Sequence, residues 1–355
     1  MAPKRIGLIG FGGIANGVHL PGYAAIPEEA VITAVCDINE SKLQAAKQKL
    51  HLPESALFAR YEDLLDSGLV DAVDICTSND AHCPIALAAI ARGIPFSVEK
   101  PLGLNLAEAK EVYAKANAAS VPSFICFSWR YRAYTRYVRD LIKNGALGKL
   151  YHIYVRCIKD SGLWEGRRLE WRFDKEKAGT GVLGDLGSHM IDIVRFWGEE
   201  VTGVFATSGI WVTERQKLDS DEIAPVTTDD WTNMILTTES GVPVTINVSR
   251  TATAIDDLIE FEAYGENGRI TFRYDNGKYT INACTGEDKK TKTVRELTPP
   301  ESYTANQSLS FVNMLNGRED EYTAHLDHGI ACQKVLEAAE ISAKTGNFVK
   351  IADLQ

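Results

Sequence analysis

An α/β half with a parallel sheet, followed by an α+β half built on a large open-faced, mainly antiparallel sheet, is the fold class that three observations predict. Up to about residue 127, strand-like and helix-like runs alternate, the pattern of right-handed crossovers within a parallel sheet. Beyond it, β-type runs near 203–213, 230–238, 242–250, 258–264, 268–274 and 278–284 follow one another through turn signals such as Glu239-Ser240-Gly241 and Glu266-Asn267-Gly268. At 355 residues the chain accommodates two domains of ordinary size, about 100–200 residues each. The expected division is 1–127 and 128–355, with the last helix free to return to the first half and a ligand cleft between the halves.

Each element of the first half has its own signal. Lys4 to Ile9 is a short apolar run that breaks into Gly10-Phe11-Gly12-Gly13-Ile14-Ala15, which reads as a buried strand, a tight turn and a helix start. Gly10 permits the turn, Gly12 lets the backbone approach a pyrophosphate, and the small Ala15 lets helix and strand close up. The helix start offers backbone N–H groups to an anion. A second run, Val31 to Cys36, ends in Asp37, about 20 residues past the last small residue, where a dinucleotide-binding Rossmann domain places its ribose-holding acid. Asn39 to Leu50 then reads as a helix stopped before Pro53, Val70 to Cys76 as a strand, and His82 to Arg92 as a helix ended by Gly93. Ile94 to Val98 is the next strand, Asn105 to Ala119 a helix capped by Asn105 with Glu108 completing a capping box, and Ser123 to Phe127 the last strand. In the second half Trp129 to Asn144, Gly184 to Phe196 and Ala324 to Thr345 read as helices, and Tyr151 to Ile158 as a strand. The carboxyl ends of the parallel strands, where such sheets bind ligands, carry Gly10-Phe11-Gly12, Asp37, Thr77-Ser78-Asn79 and Glu99-Lys100-Pro101.

Bulk charge narrows the partners. With 38 basic against 48 acidic residues the net charge is −10, unrelieved by any Lys/Arg-rich block, which argues against nucleic acid and anionic membranes. No apolar run approaches the roughly 18 residues of a membrane span, and the first strand starts without a signal-peptide core, so a cytoplasmic protein is expected. The seven scattered cysteines form no Cys-x-x-Cys pair and read as reduced core residues. His325 and His328 have no third ligand nearby and read as a helix turn, so no metal is expected.

Two clusters carry the candidate chemistry. Lys100 follows a buried strand directly, which sets an ammonium at the sheet's ligand edge, where it can exchange a proton with a substrate hydroxyl. A solvated strand-end lysine is the competing reading of that residue alone. In Gly184-Asp185-Leu186-Gly187-Ser188-His189-Met190-Ile191-Asp192, helical spacing puts Asp185, His189 and Asp192 on one face, with Ser188 nearby. A solvated face would carry Lys and Glu; these short groups suit binding hydroxyls and moving protons. A capping Asp185 with a structural His189 is the alternative. The segment from Trp164 to Arg172 offers aromatic planes and donors that suit a pyranose or cyclitol, or equally a rim loop filled for stability.

Together the glycine turn, Asp37, Thr77-Ser78-Asn79-Asp80-Ala81-His82, Glu99-Lys100-Pro101, Trp129-Arg130-Tyr131, Trp171-Arg172 and the 184–192 segment resemble the Gfo/Idh/MocA oxidoreductase family over nearly the whole chain. The resemblance implies an N-terminal Rossmann domain, NAD as cofactor, and Lys100, Asp185 and His189 as the catalytic set. It implies cofactor contacts from Gly10, Phe11, Gly12, Gly13, Ile14, Asp37, Thr77, Asn79, His82, Glu99, Lys100 and Arg130. Substrate contacts are implied for Lys100, Trp129, Arg172, Asp185 and His189. The family's Thr-Pro-Asn triplet stands here as Thr77-Ser78-Asn79, a departure at Ser78. The implied reaction oxidises a secondary hydroxyl of a sugar, glycoside or cyclitol such as an inositol to a ketone, with hydride passing to nicotinamide. His189 would take the hydroxyl proton, Lys100 would hydrogen-bond the reacting oxygen, and Asp185 would orient a hydroxyl. Glycoside cleavage or elimination through transient ring oxidation is the alternative activity, separated by net NADH production. A non-catalytic NAD-binding regulator is the third reading, opposed by the presence of all three catalytic side chains. The run of strands with few helices to cover both sheet faces predicts a homodimer or homotetramer.

Overall fold

The computed structural model describes residues 2–354, and counts of strands refer to these described residues. The chain forms two compact units, Met1–Phe127 with Ala305–Ile330, and Ser128–Thr304 with Ala331–Gln355.

The first unit is a six-stranded sheet of β1 (Lys4–Ile9), β2 (Ala30–Cys36), β3 (Leu57–Phe58), β4 (Ala72–Ile75), β5 (Phe96–Glu99) and β6 (Ser123–Cys126). The order is β3-β2-β1-β4-β5-β6 and every pair is parallel. Direction of winding therefore reverses between β1 and β4, the switch point at which doubly wound sheets bind ligands. Leu8, Phe11, Ala15, Leu20, Val35 and Leu43 close one core over this point. Asn39 caps the Glu40–Leu50 helix by accepting from Ser41 N–H at 2.9 Å. Asn105 caps Leu106–Ala118 by accepting from Glu108 N–H at 3.0 Å, while the Glu108 carboxylate reaches the Leu104 N–H, one residue earlier than a strict capping box requires.

The segment 305–330 belongs to this unit, although the sequence division at 127 assigns it to the second. Asn306 both caps the Gln307–Leu315 helix and donates to Gly22 O at 2.8 Å, Phe311 meets Phe124 at 5.7 Å between ring centroids, and Ile125 N–H donates to Ala324 O at 2.9 Å. These bonds cover the edge of the parallel sheet at β6. The division falls inside the Leu326–Thr345 helix.

The second unit is built on β7 (Leu150–Ile158), β8 (Val201–Gly209), β9 (Glu214–Gln216), β10 (Ile223–Pro225), β11 (Trp231–Thr238), β12 (Val244–Ser249), β13 (Leu258–Gly265), β14 (Gly268–Asp275), β15 (Lys278–Thr285), β16 (Arg295–Leu297) and β17 (Val349–Lys350). Nine of these form one sheet, ordered β16-β15-β14-β13-β7-β12-β11-β8-β17, antiparallel except where β12 lies parallel to β7; β9 and β10 form a separate hairpin. Along β11, Thr232, Met234, Leu236 and Thr238 are buried while Asn233, Ile235 and Thr237 are exposed, so the sheet is covered on one face only. On the covered face, Trp197 packs on Phe261, and Ser342 of the last helix accepts from Ala206 N–H at 2.8 Å.

Candidate active site

In the first unit the glycine turn is held by backbone bonds. Gly10 N–H donates to Cys36 O, and Cys76 N–H to Ile9 O, each at 2.7 Å. Gly10 has φ +94°, and a Cβ there would lie 2.6 Å from Cys76 O, so the turn admits only glycine. Above Gly12 and Gly13, by contrast, an added Cβ would meet nothing within 4 Å. Phe11 is buried under the turn, Ile14 packs at the edge of the core, and the helix beyond opens with a π-helical stretch, Ala15–His19. Asp37, at the end of β2, accepts from Phe11 N–H at 2.8 Å and Asn39 N–H at 2.9 Å, with Lys42 Nζ 3.6 Å away. A carboxylate offers about four acceptor positions, so two remain for ribose hydroxyls. The open turn and this carboxylate fit a dinucleotide.

The neighbouring strand ends carry Thr77, Asn79, His82, Glu99 and Lys100. Thr77 donates to Ser78 O at 3.2 Å, and Asn79 begins the Asn79–Ala91 helix. His82 is fully buried and faces backbone carbonyls, Nδ1 at 2.8 Å from Pro101 O and Nε2 at 3.4 Å from Thr77 O. It braces two loops from a position with no exposed surface. Glu99 is likewise turned inwards, 2.9 Å from His19 Nε2, so it too supports the edge from below. Lys100 is half-buried above them. His19 and Asp74 complete this floor and were not singled out by the sequence reading. Asp74 inside the apolar run Ala72-Val73-Asp74-Ile75 was the available signal, since a buried charge requires a partner.

In the second unit, the motif helix opens with a π-helical turn, Leu183–Gly187, and continues as Ser188–Phe196. From Gly181 to Phe196 only Asp185, His189 and Arg195 are partly exposed; every other residue is buried. Asp185 and His189 are thus the partly exposed polar groups of that face, one turn apart. Asp192, expected beside them, is turned inwards and fully buried. It accepts from Arg130 Nε at 2.7 Å and Nη2 at 2.6 Å, and the same guanidinium lies 5.0 Å from the Phe196 ring. Arg130 is therefore an internal anchor of this helix: both side chains are about 1% exposed. A second residue the sequence reading missed, Asp229, holds the other end. Its carboxylate accepts from Gly181 N–H at 2.6 Å and Leu183 N–H at 2.9 Å, and its carbonyl from Val182 N–H at 3.1 Å. Burial pushes the Asp229 carboxyl up, against the pull of these donors.

Trp129 meets Tyr274 edge-on at 5.9 Å and Tyr134 at 6.2 Å, so it belongs to an aromatic cluster that also includes Phe272 and Tyr279. Arg172 is half-buried, its guanidinium 4.3 Å above the Trp171 ring. The loop that leads to it is fastened from below: Arg167, Arg215 and Arg250 surround the Phe173 ring at 4.9, 4.1 and 4.4 Å. Trp164 stays 58% exposed at the loop's tip.

Comparison with known proteins decides the family. Residues 4–126 match the family described as oxidoreductase family, NAD-binding Rossmann fold, and residues 135–271 match the GFO/IDH/MocA C-terminal domain. The chain belongs to the Gfo/Idh/MocA oxidoreductases. Among its relatives, a levoglucosan dehydrogenase of Pseudarthrobacter phenanthrenivorans is 27% identical over 78% of this chain and 75% of that protein. A myo-inositol 2-dehydrogenase of Thermotoga maritima is 28% identical over 80% and 78%. The crystal structure of an oxidoreductase domain protein from Kribbella flavida superposes with a TM-score of 0.89 at 26% identity, covering 99% of this chain and 100% of that one. The family reading of the sequence holds for both domains, and the protein is an NAD-dependent oxidoreductase with a Rossmann cofactor domain.

Proposed function

We propose that the protein oxidises a ring secondary hydroxyl of a sugar, glycoside or cyclitol to a ketone, with Lys100, Asp185 and His189 as the reacting set. The observation that carries this reading is the partial exposure of Asp185 and His189, one turn apart on a helix that is otherwise buried except at Arg195; in the first unit, Lys100 is half-buried at the end of the Rossmann strand. Relatives named for levoglucosan and myo-inositol support the substrate class. NAD, when bound, accepts the hydride. Gly10, Gly12 and Gly13 would hold its pyrophosphate and Asp37 its ribose. His189 takes the hydroxyl proton, Lys100 hydrogen-bonds the reacting oxygen, and Asp185 orients a hydroxyl. Trp171 and Arg172 supply a plane and donors at the rim.

Asp37 favours NAD over NADP. Against the nearly doubly charged 2′-phosphate, each charge pair at about 4 Å and an effective dielectric near 20 costs roughly 4 kcal/mol. Lys42 offsets part of this. All seven cysteines are buried and unbridged, as suits a reducing cytoplasm, and no helix among the described residues is long and apolar enough to cross a membrane.

The second copy of this chain is the proposed occupant of the uncovered sheet face. Its strands align Phe205, Ile235, Thr245, Tyr154 and Glu262 in one outward row across β8, β11, β12, β7 and β13. Phe205, Ile235 and Tyr154 are exposed there, a flat, partly apolar row suited to an isologous contact. A monomer in light scattering at micromolar concentration would count against it.

A screen of inositols, hexoses and glycosides by NADH absorbance, run with NAD and with NADP, tests the activity. With the best substrate, His189→Ala should lower kcat by about 10²–10⁴ and abolish the rise of the oxidation rate with pH that follows loss of the imidazole proton. Lys100→Met should be at least as damaging, with NAD affinity nearly unchanged in both. A His189→Ala enzyme with wild-type kcat and pH dependence would overturn the assignment.

A further inference from the structure

Beneath the ligand edge of the first unit lies a charged cluster that the chemistry above does not use. His19, Asp74 and Glu99 are each at least nine-tenths buried. His19 stands between the carboxylates, Nδ1 at 2.7 Å from Asp74 and Nε2 at 2.9 Å from Glu99. Asp74 also accepts from the Tyr23 hydroxyl at 3.0 Å and from the Ser97 hydroxyl. A neutral imidazole has one N–H and would leave one carboxylate facing a lone pair. With both carboxylates ionised, both bonds together require the imidazolium. Burial opposes that charge, but the Asp74 carboxylate outweighs it and holds His19 well above the usual histidine range. Burial also opposes charge on Asp74, yet His19 keeps its carboxyl below the ordinary value. The remaining titratable groups facing the ring stay neutral: burial raises Tyr23 and Cys126 far above their usual values and pushes Cys76 up to about 12. Ligand atoms of His19, Asp74 and Cys126 lie within 4.8 Å of one another. With both ring nitrogens donating to carboxylates, however, none is left to bind a metal.

From this cluster to the lysine is one short step. Glu99 turns one oxygen to His19, and its other accepts the Lys100 N–H at 3.2 Å. On the far side, Pro101 O accepts from His82 Nδ1 at 2.8 Å. Burial, partly offset by the Pro101 carbonyl, keeps His82 below the usual range, and a neutral ring needs only that one donor. Two buried histidines thus pin the backbone around Lys100.

We propose that His19 is a positioning residue for Lys100: by bridging Asp74 and Glu99 it fixes the carboxylate that holds the lysine's backbone N–H, and so the point from which the side chain reaches the substrate. This rests on Lys100 as the catalytic lysine of the function proposed above.

His19→Gln tests it, because the amide can donate to one carboxylate while the other is left without its donor. The measurements are kcat, KM, NAD affinity by fluorescence titration, and ¹⁵N NMR of histidine-labelled wild type. Since a displacement of about 1 Å can cost up to about 10²-fold, kcat should fall about 10–100-fold. KM and NAD affinity should stay within about 3-fold, the signature of an interaction needed only in the transition state. The wild-type His19 ring should carry protons on both nitrogens at pH 8. If His19→Gln does not fold, Glu99→Gln weakens the bridge at unchanged size and should show the same split, with a His19 ring that has lost a proton at pH 8. A kcat within about 2-fold of wild type in the variant that folds, or a neutral His19 ring in the wild type, overturns the proposal. Lys100→Met, measured alongside, separates the two readings. If it stays active, the catalytic assignment falls; if it is inactive while His19→Gln keeps its kcat, only the positioning role falls.

Discussion

Both units set their candidate reacting side chains over buried charge, but the charges are of different kinds. Under Lys100 an imidazolium lies between two carboxylates; behind Asp185 and His189 a guanidinium grips Asp192 through two bonds of 2.7 and 2.6 Å. Arginine keeps its proton throughout the stable range of a protein, whereas histidine can lose it. The helix of the second unit is therefore anchored at any working pH, while the floor under the lysine is sound only as long as His19 remains charged. Burial opposes charge on both carboxyls, with different outcomes: Asp192 is raised despite Arg130 and the more distant Arg195, whereas Asp74, held by His19, Ser97 and Tyr23, stays low.

The largest break follows from that dependence. Arg130→Met removes the partner of a fully buried carboxylate, and breaking such pairs from one side typically costs about 3–5 kcal/mol. Urea denaturation should show a loss of that order, and replacing Asp192 by Leu as well should recover much of it. A loss of under about 1 kcal/mol would mean that water or another donor reaches Asp192.

A smaller effect sharpens the contrast, and its sign can be derived. His19 has a folded-state value raised above its unfolded one. Its contribution is thus complete below about pH 6.5 and declines as pH rises towards the folded value, by about 1.4 kcal/mol per pH unit. Asp74 is depressed, so its contribution is lost only on the acid side, below about pH 4. Wild-type stability measured against His19→Gln should therefore narrow between about pH 7 and pH 9, while the gap to the double variant Arg130→Met/Asp192→Leu, which lacks both charges, stays level over the same interval. A level gap in both would show that His19 is neutral.

How much of this could be read from the sequence differs between the units for the same physical reason. Gly10, Asn39 and Asn105 do local work, turning a chain or capping a helix within a few residues, and local rules located them; Asp37, whose bond to Phe11 N–H spans 26 positions, was located by its spacing from the glycine turn. Lys100, Asp185 and His189 were singled out as candidates because polar groups interrupt an apolar or helical pattern. The partners that set them were not, because Arg130 with Asp192, Asp229 with Gly181 and His19 with Asp74 join residues 48 to 62 positions apart. Helical period alone placed Asp192 on the open face. It could not show that Arg130 would draw it inwards. The short β3, the hairpin of β9 and β10, and the Gln307–Leu315 helix were also missed, the first two too short for a periodic signal. The helix had a legible cap in Asn306 that no run of flanking polar residues set apart.

The smallest effect on stability separates the two units by their glycines. At Gly181 a Cβ would lie 2.0 Å from Asp229 O, inside the bracket that holds the motif helix, so Ala there must displace backbone. At Gly12 the same methyl group enters open space above the turn, and no positive φ adds strain. Gly12→Ala should therefore leave the fold intact and, by restricting the unfolded chain, even add about 0.4–1 kcal/mol. What it fills is the surface against which a pyrophosphate would lie, where close backbone approach is the reason for glycine. NAD affinity, followed by fluorescence titration, should drop by at least about tenfold, or 1.4 kcal/mol. Thermal unfolding without cofactor should meanwhile match or exceed wild type. An unchanged affinity would mean that the dinucleotide lies elsewhere on the sheet edge, and the cradle assigned to Gly10, Gly12 and Gly13 would have to be given up.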